Sequence, residues 1–254
     1  MVKGLDKFKD FFKDYRGNYL LIGGAACDTQ IGNAGLNYRA TKDLDIVLVV
    51  EAYSADFVIK FWEFIEEGGY EIKEKSSGEK NYYRFKEPRD DTFPSQLELF
   101  ARNPNIDLGD DARLTPIPID EDVVSLSAIL LDDELYDFTL KHAENIDDLS
   151  IASTSTLICL KARAFIDLKT RKDNGEQIDS KDIKKHRNDI IRLTAILGEE
   201  DVEDLPEQLR SDIQEVIAEY KKDPPDVKAI GKDMGAADLK LENIIEQLEK
   251  TFHL

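Results

Sequence analysis

Two aspartates one residue apart, Asp43 and Asp45, head the apolar run Ile46-Val47-Leu48-Val49-Val50. Side chains alternate along a strand, so Asp43 and Asp45 share one face while Leu44 and Ile46 turn to the core. Carboxylates held side by side repel each other, and a divalent cation between them relieves the repulsion. Upstream, Tyr19-Leu20-Leu21-Ile22 reads as a buried strand that runs into Gly23-Gly24. Backbone without a Cβ can come close to a phosphate. A phosphate seat beside cation-binding carboxylates is the chemistry of phosphoryl or nucleotidyl transfer. Each part also has a plain alternative: the glycine pair as a tight turn, and the aspartate pair as a solvated strand edge.

The stretch Ile22-Gly23-Gly24-Ala25-Ala26, followed by Arg39-Ala40-Thr41-Lys42-Asp43-Leu44-Asp45-Ile46, resembles the nucleotidyltransferase fold of the DNA polymerase beta superfamily. Within it, the chain is most similar to the AbiEii/AbiGii toxin-like nucleotidyltransferases, which carry an Arg-x-Ser/Thr-x-Asp-x-Asp strand after a small-residue turn. The resemblance implies transfer of a nucleoside monophosphate from an NTP substrate, with Mg2+, onto a hydroxyl or phosphate acceptor. It further implies a third carboxylate from a later strand. Glu98, in Gln96-Leu97-Glu98-Leu99-Phe100, is the candidate, although the superfamily more often has Asp there. Asp43, Asp45 and Glu98 would then be both the catalytic carboxylates and the ligands of two Mg2+ ions. The other reading of Glu98 is an exposed strand charge.

The same resemblance names substrate-binding residues. Gly23 and Gly24 form the phosphate turn, and Arg39 and Thr41 belong to the strand motif. Thr41 would bind phosphate or itself become modified; a plain strand threonine is the alternative. Leu157-Ile158-Cys159-Leu160-Lys161-Ala162-Arg163-Ala164 matches a family helix of the form Leu-x-x-x-Lys-x-x-Ala, which assigns Lys161 to NTP phosphates. Lys185-His186-Arg187-Asn188-Asp189-Ile190 resembles a later family run, which assigns Asp189 to orienting a basic group or the acceptor. Arg192 stands near the place of that run's second aspartate. A snorkelling lysine and a helix-surface charge are the alternatives for Lys161 and Asp189.

These residues need elements to hold them. Leu5, Phe8, Phe12 and Tyr15 recur at helical spacing and predict a first helix ending near Gly17. Phe57, Phe61, Phe64 and Ile65 predict another that stops at Gly68-Gly69. Tyr70–Lys73 and Asn81–Phe85 read as strands of a hairpin through Ser76-Ser77-Gly78-Glu79. The segment from 103 to 122 reads as a loop, and that from 127 to 151 as extended and partly β, including Tyr136-Asp137-Phe138. From Ser153 or Thr154 the chain turns helical, with later helices near 207–222 and 236–252 divided from each other by Pro224-Pro225. The expected fold is α+β: a small mixed sheet as a nucleotidyltransferase core over 1–125, flanked by helices. A mostly helical C-terminal domain over 126–254 would complete the active site.

Composition narrows the field. The chain has 254 residues, of which 41% are apolar and 34% charged, as expected of a globular protein with no membrane association. The first fifteen residues read as an amphipathic helix and not as a signal peptide. Cys27 and Cys159 suit reduced core positions in a cytoplasmic protein, and three scattered histidines make no metal cluster. A net charge of −19 argues against a general nucleic-acid coat. Between Lys161 and Arg187, however, nine Lys or Arg face five acids, whereas 199–254 carries sixteen acids and seven bases. This basic segment makes RNA or another macromolecule a candidate acceptor, and a solvated helix face is its alternative. Three functions stay open: a nucleotidyltransferase acting on tRNA as the toxin of a toxin–antitoxin pair, with an antitoxin protein as partner; an antibiotic-type, small-molecule nucleotidyltransferase; and an idle nucleotide- or protein-binding module.

Overall fold

The computed structural model describes residues 2–49, 52, 54–71, 83–100, 133–236 and 238–254. The fold is α+β, with a six-stranded mixed sheet and a helical C-terminal half. The described residues divide into two compact units. One holds the sheet and takes in residues up to Ala26, those from Ala40 to 100, and those from 133 to Ala152. The other takes in Cys27–Arg39 and Ser153–Leu254. The sheet unit therefore draws on chain from both sides of residue 125.

In the sheet unit, α1 (Leu5–Phe12) buries Leu5, Phe8 and Phe12 on one stripe, and a 3-10 turn (Lys13–Asn18) leads into β1 (Tyr19–Ile22). The chain continues through α2 (Gly23–Asn33), β2 (Asp43–Leu48), α3 (Ala55–Gly68), β3 (Tyr83–Lys86) and β4 (Gln96–Phe100). Then follow α4 (Asp133–Lys141), β5 (Ala143–Ile146) and β6 (Leu149–Ala152). The helix α3 starts where the Ser54 hydroxyl accepts the Phe57 N–H. It stops at Gly69, whose left-handed backbone (φ 62°) returns its N–H to Glu66.

The sheet order is β3-β4-β2-β1-β6-β5. β1 runs antiparallel to β2 and parallel to β6, while β2 runs parallel to β4. Registered partners share a face. Tyr19, Leu48, Leu21, Ile46, Leu99, Leu44, Leu97 and Phe85 therefore line one side of the sheet. Rings cover that side: Phe8 meets Tyr19 edge-on at 5.1 Å, and Phe61 meets Phe85 at 5.7 Å. Phe64 lies between Phe8, Phe11, Phe12 and Phe93, at 4.8 to 5.7 Å. By the alternation of the strands, Asp43, Asp45, Gln96 and Glu98 belong to the opposite side.

The helical unit contains α5 (Thr154–Asp173), α6 (Ser180–Thr194), α7 (Glu207–Lys222), α8 (Val227–Met234) and α9 (Leu241–Thr251). Ser153 caps α5 by accepting the Thr156 N–H at 3.2 Å, and Asp179 caps α6. The helix α5 is buried nearly all round, from Leu157 through Leu168.

Some elements differ from the sequence reading. Tyr136-Asp137-Phe138 is helical, because Leu135, Tyr136, Phe138 and Thr139 are buried at helical spacing in α4. The first α-helix stops at Phe12, its continuation tightening into the 3-10 turn. A further helix, α8, follows Pro224-Pro225. Asp226 caps it, and Gly235 (φ 84°) ends it before α9. Of the expected hairpin, Glu71 bridges to Lys86. Its turn, together with the segments 103–122 and 127–131, lies outside the described residues. Among those described, no helix is long and apolar enough to cross a membrane.

Phe64, with no exposed surface, holds the aromatic layer that backs the sheet. Phe64→Ala should therefore cost about 3–5 kcal/mol in chemical denaturation. A loss under about 1 kcal/mol would show that this layer does not support the sheet.

Candidate functional site

The candidate residues fall into two groups, one in each unit. The first lies on the sheet. Asp45 registers with Ile22 on one side and with Glu98 on the other, and Asp43 registers with Gln96. Neighbouring strands are about 4.8 Å apart, so Asp45 and Glu98 rise side by side. Both are buried, at 8% and 6% exposure. Glu98 is thus no exposed strand charge. The Gln96 side-chain amide donates to Glu98 Oε1 at 2.6 Å.

The glycine pair follows at the end of β1. A Cβ on Gly23 would stand 1.7 Å from Asp45 Oδ2, and Gly23 also has a left-handed backbone (φ +67°). A Cβ on Gly24 would stand 2.4 Å from Thr41 Oγ1. The clash at Gly23 extends to Asp45 Cγ and Cβ, at 2.6 and 2.9 Å, whereas that at Gly24 falls on the Thr41 hydroxyl; the two glycines thus make room for the side chains of Asp45 and Thr41. The turn alone accounts only for the backbone of Gly23. Among the described residues, no three acidic, histidine or cysteine side chains converge tightly enough to ligate one ion. The carboxylate oxygens on this face are nonetheless the hard donors that suit Mg2+.

The second group surrounds Asp189 in the helical unit. Asp189 has no exposed surface. Tyr38 donates to its Oδ2 at 2.7 Å, and Arg39 grips the same carboxylate through Nη2 at 2.8 Å and Nε at 3.1 Å. Arg192 reaches Oδ1 at 3.2 Å, and the Lys161 ammonium lies 3.8 Å from Oδ2. Burial opposes the charge on Asp189, but Lys161, Arg39 and Tyr38 together hold its carboxyl below the usual range. Burial likewise raises Tyr38 well above an ordinary tyrosine and pushes the neighbouring Cys27 thiol up to about 11. Both cysteines are free and buried, with no sign of a nucleophile.

Neither bland reading of this group survives. Lys161, at 3% exposure, does not snorkel to water, and Asp189 is no surface charge. Three cations share one buried carboxylate; apart from it, Arg192 also reaches the exposed Asp233 at 3.6 Å. Lys161 makes the longest contact of the three. Such an excess of positive charge away from water suits an anion.

The sequence reading missed Gln96, Tyr38 and Arg192. Gln96 was accessible through strand alternation from Glu98, and Arg192 through its i+3 spacing from Asp189. Nothing local marks Tyr38. The basic segment also resolves differently from its sequence count. Lys161, Arg163, Lys169, Arg171 and Arg187 all pair with acids: Asp189, Asp212, Asp173, Glu176 and Asp223. A cavity of about 530 Å³ in the sheet unit is lined by Arg16, Tyr19, Leu140, Asn145 and Ser150 among others, and by none of the candidate residues. No family model matches the chain, and none of the curated proteins is similar to it.

Removing the charge of Asp189 leaves three cations without their common partner. Asp189→Asn should cost about 3–5 kcal/mol at neutral pH, read by urea denaturation. Because folding lowers this carboxyl's pKa, its contribution is fully present above the ordinary carboxylate range near 4. It is lost as pH falls through the lowered value. Wild type and variant should therefore converge in acid. A constant gap between them would contradict the assignment.

Proposed function

We propose that the protein is an Mg2+-dependent nucleotidyltransferase that moves a nucleoside monophosphate from an NTP to a hydroxyl or phosphate acceptor. The observation that carries this reading is the close approach of Gly23 to Asp45, beside Glu98 on the next strand. It places the Asp45 carboxylate against a Cβ-free backbone, with the buried Glu98 on the neighbouring strand. That is an economical arrangement for holding a cation and a phosphate together.

Asp45 and Glu98, with Asp43 two residues up the strand, would hold the metal; side-chain rotation has to bring the third oxygen donor in. When bound, Mg2+ lowers the pKa of an acceptor hydroxyl and neutralises charge on the triphosphate. The residues do the rest. Gly23 makes room for the Asp45 carboxylate, Thr41 offers a hydroxyl beside Gly24, and Glu98 would take the acceptor proton. In the helical unit, the cations around Asp189, Lys161 among them, suit an anion. Arg39, locked onto Asp189, is a positioning residue in this scheme.

The acceptor has two readings. An RNA acceptor, in the manner of a toxin acting on tRNA with an antitoxin protein as partner, would use the segment 161–187 as a basic track. The internal ion pairs of five of its nine cations favour the second reading, a small hydroxylated acceptor. A cytoplasmic setting, where NTP, Mg2+ and reduced thiols coexist, agrees with either.

The test is incubation with each α-labelled NTP, Mg2+, and RNA, protein or small-molecule pools. Label should pass to one pool, stop in excess EDTA, and fall at least a hundredfold in Asp45→Asn. Full transfer by Asp45→Asn, or in EDTA, would refute the function.

A further inference from the structure

The Asp189 carboxylate is fully occupied. An ionised carboxylate offers about four lone-pair sites. Tyr38 Oη and Arg39 Nη2 take those of Oδ2, at 2.7 and 2.8 Å. Arg39 Nε and Arg192 Nη1 take those of Oδ1, at 3.1 and 3.2 Å. The Lys161 ammonium is left out. It stands 3.8 Å from Oδ2, within reach of the charge but beyond hydrogen-bond distance, and among the described residues it makes no hydrogen bond. Its N–H donors thus stay unused on a side chain that is only 3% exposed. The little surface that Lys161 keeps includes the ammonium, which is not sealed from solvent.

We propose that the Tyr38 hydroxyl is a positioning group that keeps Lys161 free to donate to an anionic substrate oxygen. That this oxygen belongs to a triphosphate rests on the nucleotidyltransferase reading; the free ammonium does not. Without the hydroxyl, Oδ2 would have a site to spare, and an ammonium about 1 Å short of bonding distance would take it. Its donors would then be committed to Asp189 and drawn off a ligand. Burial holds the Tyr38 hydroxyl protonated, well above the range of an ordinary tyrosine, so it stays a donor at any working pH. The Tyr38 ring also packs against the Arg39 guanidinium, 4.9 Å from its centroid, and Tyr38→Phe removes the hydroxyl while keeping that contact.

Two readouts need neither metal nor nucleotide. In crystals, Lys161 Nζ should lie beyond about 3.5 Å from Asp189 Oδ2 in wild type and within about 3.0 Å in Tyr38→Phe. Calorimetric titration with inorganic tripolyphosphate should show binding about tenfold weaker in Tyr38→Phe and in Lys161→Met. The double variant should bind no more weakly than Lys161→Met alone, because the hydroxyl acts only through the ammonium. A merely structural role for Tyr38 would add its loss to that of Lys161. Should Tyr38→Phe not fold, wild-type crystals with tripolyphosphate still decide: an oxygen of the ligand should sit on Lys161 Nζ, with Tyr38 still on Oδ2. Lys161 hydrogen-bonded to Asp189 in wild type, no tripolyphosphate binding by wild type, undiminished binding by Tyr38→Phe, or additive losses would each overturn the inference. If nucleotidyl transfer survives in Asp45→Asn while these results hold, the nucleotidyltransferase reading falls and the role of Tyr38 stands.

Discussion

The absence of two Cβ atoms is the constraint on which the sheet face depends. Asp45 occupies space that any side chain at Gly23 would need, and Thr41 does the same at Gly24. Because Asp45 is fixed in register between Ile22 and Glu98, the glycines cannot be relieved by sliding one strand. A one-residue slip would turn every side chain to the wrong side of the sheet. The carboxylates keep their place because the backbone beside them gives way.

The other side of the sheet explains why the face stays put. Tyr19 and Phe85 are gripped by rings from α1 and α3, with Phe64 at the centre. Close-packed aromatic layers resist strand movement. Gln96 and Asp45 thus stand on strands whose buried partners, Leu97, Leu44 and Ile46, are fully committed to the core. The helical unit follows another logic. Its centre is a charged knot, in which Asp189 and Arg192 of α6 meet Lys161 of the buried α5 together with Tyr38 and Arg39. Removing one partner from such a buried cluster costs far more than the cluster adds over an apolar core of the same volume.

The elements legible in the sequence are those with a strong local pattern. The α3 stripe and its glycine stop, the Ser153 cap, and the strand of Asp43 and Asp45 all follow from short-range rules. What was not legible depends on distant partners. Tyr136 looks like a strand residue until its helical neighbours are buried with it and its hydroxyl meets the Leu48 carbonyl. Tyr38 acquires its role only through Asp189, 151 positions away. The basic segment shows the converse: a count along the chain suggested a free positive surface, whereas Asp212 and Asp223 on and after α7 pair with Arg163 and Arg187. Likewise Gly23-Gly24 could be seen to permit a close approach, but not that Asp45 and Thr41 would be the groups approaching.

The central claim is that the face bearing Asp45 and Glu98 holds a metal-bound nucleoside triphosphate. A crystal grown with Mn2+ and a non-hydrolysable NTP, measured at the manganese absorption edge, tests it most directly. The account predicts an anomalous peak about 2.1–2.2 Å from oxygens of both Asp45 and Glu98, with triphosphate density beside Gly23. Bound nucleotide whose manganese peak touches neither carboxylate would contradict it.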